Sequence, residues 1–201
     1  MAKIHAKFGD IIFADATYYS CPKLAYQLFI TRVFDETYNS YYTTSFTFMN
    51  GKTEEDYFLV FKKLHEHISS FLDINENYKL KELHTDFEIA VGSAAKRIYP
   101  QMNIKYCIWH QRRAIEAKKN SLCKLDIREN DNLYILFNAV CNLYLCTPNY
   151  IEKVFHIIKQ KSSSNTNFTE FLKYFDNEYI KIYKIPTWNY HNNYRHVTNN
   201  S

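Results

Sequence analysis

The chain has 201 residues, 46% apolar and 23% charged, with a formal net charge of +4. That length holds one domain with an insertion or two small domains, and the balance excludes a disordered chain while leaving enough apolar residues for a real core. No apolar run approaches the ~18 residues of a membrane helix, so no span is expected, and the mild positive charge permits nucleic-acid binding without arguing for it.

The first twenty residues lack a secretory apolar stretch. The first strand is predicted over 10–20, carrying Ile11-Ile12-Phe13-Ala14-Asp15 and ending near Cys21-Pro22. Residues 24–34 are rich in β-formers and predict a second strand. Asp35 to Ser40 is a turn signal, and 41–49 predict a third strand. Short connections make these three an antiparallel meander. Thr53-Glu54-Glu55-Asp56 opens a helix with a Thr cap and acid in its first turn. Tyr57, Phe58, Phe61, Leu64, Ile68, Phe71 and Leu72 recur at helical spacing, which carries it from about 54 to 72.

After an Asn-rich turn at 75–77, a fourth strand is predicted at 80–86. The strand, helix, strand order implies a parallel crossover that sets it beside the first strand. Ile89, Val91, Ala94, Ala95 and Ile98 predict the next helix, stopped by Pro100, and 103–109 predict a fifth strand. From His110 the pattern turns helical: helices are predicted starting at 111–119, over 132–146 and 148–160, and over 167–183 after a polar loop at 161–165. The block 120–190 reads as an all-helical insertion attached to the sheet.

Asp15 and Asp86 end the first and fourth strands in matching positions. Alone, Asp15 reads as a strand-end acid turned to solvent, and Asp86 as the N-cap of the following helix. Paired on adjacent strands, they form an oxygen-ligand site suited to Mg²⁺ or Mn²⁺. Glu88 reads as a charge in the first helical turn. Cys107 and His110 form a Cys-x-x-His, but no second such pair exists, so packing or active-site support is favoured over structural Zn²⁺. The five cysteines, odd in number and irregular in spacing, point to reduced thiols in a cytosolic or nuclear setting. Lys105, Arg112 and Arg113, with Lys118, Lys119 and Lys124, form a basic stretch that either neutralises phosphates or is a solvated helix face. Tyr18 and Tyr19 either stack on a base or pack, and the 18 tyrosines as a whole read as ordinary core filling and an AT-rich coding sequence.

The strand order with its two carboxylates is similar to an RNase H-like core. The segments Phe13-Ala14-Asp15-Ala16-Thr17-Tyr18, His84-Thr85-Asp86-Phe87-Glu88-Ile89-Ala90 leading to Tyr99-Pro100, Cys107-Ile108-Trp109-His110, Trp188-Asn189-Tyr190 and Arg195 to Ser201 resemble, in order and spacing, the transposase domain of Mutator-like elements (MULE transposases). The resemblance implies an α/β, RNase H-like mixed sheet, a three-strand antiparallel meander plus parallel strands, with a helical insertion before the third acid of a DDE triad. It implies a core over 1–119, the insertion over 120–190, and over 191–201 the start of the segment leading to a final core helix. Asp15 and Asp86 match the first two acids, and Cys107 and His110 match the family's Cys-x-x-His.

The family's glutamate is expected shortly after the Thr-Asn-Asn motif, and the sequence stops at Ser201. The expectation is therefore an incomplete core, catalytically inactive or nearly so but able to bind DNA weakly; neither Glu116 nor Glu178 falls at the matching position. In the complete enzymes the resemblance implies a two-metal site of Mg²⁺ or Mn²⁺, strand cleavage by water, attack of the freed 3′-hydroxyl on target DNA, assembly as a homo-oligomer, and action in the nucleus. The alternatives are a catalytically dead, transposon-derived or domesticated DNA-binding remnant, and an RNase H-like hydrolase without strand transfer.

Overall fold

The structure, a computed structural model, describes residues 2–18, 21–72 and 78–192. Tyr19, the turn at 75–77 and the late segment Arg195 to Ser201 lie outside the described residues. The chain divides into two compact units, one running up to Lys105 and the other beginning at Tyr106.

The first unit is a five-stranded mixed sheet in the order β3-β2-β1-β4-β5, with β1 at Ile11–Thr17, β2 at Gln27–Asp35, β3 at Ser40–Met49, β4 at Glu82–Thr85 and β5 at Asn103–Tyr106. β1 pairs antiparallel with β2 and parallel with β4, and β2 pairs antiparallel with β3. The β2–β3 turn follows from its residues. The Thr37 amide donates to Asp35 Oδ1 at 2.8 Å, and Asn39 takes a positive φ of 48°, which Asn tolerates better than most side chains. The ladder skips Thr44, whose hydroxyl pairs with that of Thr31 at 2.9 Å, so β3 carries an extra residue there.

Side chains alternate faces along a strand, and β1 shows what that achieves. Ile12 and Ala14 join a core with Phe29, Leu83, Tyr57, Phe61, Val91 and Ala94, contributed by β2, β4 and the helices α2 (Glu54–Ser69) and α3 (Ile89–Ile98). Phe13 and Asp15 therefore point to the opposite face, where Phe13 packs between Tyr41 and His84 at ring separations of 4.9 and 4.6 Å.

α2 begins where its cap chemistry says it should. Thr53 accepts from the Asp56 amide while Asp56 accepts from the Thr53 amide at 2.9 Å, a reciprocal cap. Hydrogen bonds from Thr53 hold the Asp56 carboxyl below its usual range. Arg97 of α3 pairs with Glu55 at 2.7 Å and lies over the Phe58 ring, tying α3 to α2.

One added helix and four boundaries differ from expectation. A short helix α1, Ala2–Phe8, precedes β1 and had no counterpart in the sequence reading. β1 ends at Thr17 and α2 at Ser69, earlier than predicted. β5 ends at Tyr106: the apolar Cys107-Ile108-Trp109 run, read as strand, instead opens helix α4 (Ile108–Leu122), with Cys107 at its N-cap. Asp86 is not the cap of α3; Glu88 is, because the chain needs three residues beyond β4 to reach the helix.

In the second unit every described element from Ile108 onward is helical. After α4 come α5 (Lys124–Glu129), α6 (Asp131–Cys141), α7 (Pro148–Lys161) and α8 (Thr166–Phe175). Pro148 occupies the first turn of α7, where its missing N–H costs nothing. Asn130 and Asn165 cap α6 and α8 by accepting from the Leu133 and Phe168 amides at 3.2 and 2.8 Å. The helix predicted over 167–183 is two pieces, since α8 passes into a π-helix at Asp176–Ile182. The buried Trp188-Asn189-Tyr190 segment pins this region. Trp188 Nε1 donates to the Tyr179 carbonyl at 2.6 Å, Asn189 Nδ2 to those of Tyr144 and Cys146, and the Tyr190 hydroxyl to that of Tyr106 at 3.1 Å.

Among the described residues no helix is long and apolar enough to cross a membrane.

Candidate metal centre

The parallel register pairs Phe13 with His84. Two residues further along the chain stand Asp15, within β1, and Asp86, one residue past the end of β4, and the period of two turns both toward the same face. Their carboxylate oxygens lie within 4.8 Å of each other, and both residues are partly exposed. Two oxygens bound to one hard cation stand at most about twice the metal–oxygen distance apart, roughly 4–5 Å. The pair thus fits one divalent ion in reach and in chemistry, since hard carboxylates suit Mg²⁺ or Mn²⁺.

The same face carries an acid–base pair behind Asp86. His84 Nε2 and Glu82 Oε1 are 2.6 Å apart, with His84 buried. Lys105, on β5, is half-buried; burial lowers its ammonium and the Glu82 charge acts in the opposite sense.

Beyond Asp86 the chain turns sharply, the Glu88 amide donating to the Asp86 carbonyl at 2.7 Å. Glu88 makes no side-chain cap bond to α3. Its carboxylate instead accepts from the Tyr57 hydroxyl at 3.2 Å, and Tyr57 accepts from Gln27 Nε2 at 2.9 Å. Burial pushes the Glu88 carboxyl up, the Tyr57 hydrogen bond and Lys52 oppose this, and Asp86 adds to it. The sequence reading missed this relay. Glu88 offered one signal, an acid two residues past Asp86; Gln27, a polar residue inside a β-forming run, offered another.

The remaining predicted residues fall as follows. Tyr18 packs edge-on against Tyr26 at 5.6 Å and is about half exposed. Cys107 is buried at the head of α4, and His110 lies in its first turn, both in the second unit. Arg112 and Arg113 are exposed on α4, with Arg113 over the Trp109 ring at 4.6 Å. Lys119 is engaged by Glu116, and Lys118 lies over Tyr174. Lys105 is partly buried in the first unit, and the two arginines are exposed in the second.

A mixed sheet with two carboxylates close enough to share a cation defines an α/β domain with a candidate oxygen-donor site. Residues 11–113 match the MULE transposase domain, which takes in both aspartates and the Cys107–His110 motif. The chain belongs to the MULE transposase domain family. No curated protein matches it.

Proposed function

We propose that this chain carries the first two carboxylates of a metal-dependent DNA strand-transfer centre on an RNase H-like core. One observation supports the reading above the rest: the β1–β4 register brings Asp15 and Asp86 to one face with oxygens within 4.8 Å. The strand order, an antiparallel meander followed by a parallel strand beside β1, agrees with such a core. A bound divalent ion supplies Lewis-acid charge to a phosphodiester. Asp15 and Asp86 would hold and orient it.

DNA is the partner this family implies, and Arg112 and Arg113 are exposed cations available to its phosphates. A supporting role for Cys107 and His110 rests on the family motif alone, as do assembly into a homo-oligomer and action in the nucleus.

The test is strand cleavage and strand transfer on DNA with Mg²⁺ or Mn²⁺. Turnover that disappears in Asp15→Asn and Asp86→Asn establishes the centre. DNA binding with neither Mn²⁺ binding nor turnover identifies a transposon-derived binding remnant instead. Turnover that survives Asp86→Asn places the chemistry elsewhere.

A further inference from the structure

We propose that Glu88 is a positioning residue, tethered through Tyr57 to α2 and β2, which fixes the turn that presents Asp86. The inference rests on the metal-centre reading above. Three observations carry it.

First, Glu88 occupies the N-cap of α3 but makes no side-chain cap bond there. Capping by its own side chain is the ordinary use of a polar residue at that position. Here the carboxylate turns away and accepts from the Tyr57 hydroxyl.

Second, the donor is held rigidly. Tyr57 and Gln27 are both fully buried. Gln27 Nε2 donates to the Tyr57 oxygen and also to the Gly51 carbonyl at 3.1 Å. The phenol oxygen is thus already accepting, and its single proton is left for Glu88. The direction of the relay is set: Gln27 amide, Tyr57 hydroxyl, Glu88 carboxylate. Gln27 lies on β2 and Tyr57 on α2, so the relay joins Glu88 to the sheet that also carries Asp15.

Third, the backbone of Glu88 grips Asp86 directly through the 2.7 Å bond from its amide to the Asp86 carbonyl. Asp86 lies one residue beyond the last residue of β4. The Tyr57 bond on one side of Glu88 and the turn bond on the other restrain the turn that presents it. Partners that orient a metal ligand from behind typically change metal affinity 10–100-fold.

The experiment is Mn²⁺ binding by electron paramagnetic resonance on the full chain and on Tyr57→Phe, Glu88→Ala and Glu88→Gln, with amide hydrogen exchange at Glu88 on the same proteins. Tyr57→Phe and Glu88→Ala are expected to weaken Mn²⁺ binding about tenfold and to speed exchange at residue 88 by a similar factor. Glu88→Gln keeps an acceptor for Tyr57 and is expected to stay within about twofold of the parent chain. Loss in Glu88→Gln as large as in Glu88→Ala makes the carboxylate a direct ligand and overturns the positioning role. Parent-like Mn²⁺ affinity and exchange in Tyr57→Phe also overturn it. If the parent chain binds no Mn²⁺, the metal-centre reading fails, and the exchange rate alone decides the tether: faster in Tyr57→Phe upholds it, unchanged removes it.

Discussion

Asp15 and Asp86 each stand two residues beyond a paired position, Phe13 on β1 and His84 on β4, and the parallel register carries them to the same face. The ladder thus sets the face they share, while Asp86 itself lies one residue beyond the end of β4. A one-residue slip of β4 would send Asp86 to the face occupied by α2 and α3. The register is held by burial of Leu83 on one face and by the packing of His84 on Phe13 on the other.

His5 makes stability depend on pH in a defined direction. Burial lowers its imidazole from 6.5 to about 4, beside the Tyr78 hydroxyl. The folded value lies below the unfolded one, so on acidification the unfolded chain takes up this proton first. The contribution is constant above pH 6.5, is lost progressively between 6.5 and about 4, and levels off below. Its full size is about 3 kcal/mol. Urea midpoints measured across this range should fall less steeply in His5→Gln than in the parent chain.

Gly9 is required by close approach. An added methyl would lie 2.6 Å from the His5 ring and 2.9 Å from the Tyr78 hydroxyl, and would collide with the His5 carbonyl. The Tyr78 hydroxyl donates to the Gly9 carbonyl at 2.6 Å, so neither neighbour is free to retreat. Gly9→Ala should destabilise the fold by about 1–3 kcal/mol, read from its urea midpoint.

What was legible in the sequence followed from strong local signals. The meander showed in three β-rich runs with a turn between the second and third, and α2 in its Thr53 cap and apolar period. The Asp15–Asp86 pairing showed because both acids close strand-like runs. What was missed lacked such signals. α1 is seven residues without acid in its first turn, and α4 starts at Cys107, whose side chain makes no cap bond. An apolar Cys-Ile-Trp run with no start signal is indistinguishable from a strand. The π-helix hid because Phe171, Phe175, Tyr179 and Ile182 fit a continuous 3.6 period. The Gln27–Tyr57–Glu88 relay joins residues far apart in sequence, which no local pattern reports.

The basic residues should separate in DNA binding. Replacing both Arg112 and Arg113 by Ala should weaken binding and reduce the slope of log affinity against log salt by about 2. Lys105→Ala should leave that slope nearly unchanged, because Lys105 is half-buried beside Glu82, and should act on stability instead. Salt titrations of fluorescence anisotropy, with urea melts alongside, distinguish the two.

Mn²⁺ titration of the parent chain against Asp15→Asn and Asp86→Asn tests the central claim most directly. Each amide keeps the side-chain shape and removes the charge. Each should weaken Mn²⁺ binding by more than about 100-fold, beyond the range of a merely supporting partner, while Glu116→Gln and Glu178→Gln leave it unchanged. Parent-like Mn²⁺ affinity in Asp86→Asn would contradict the account.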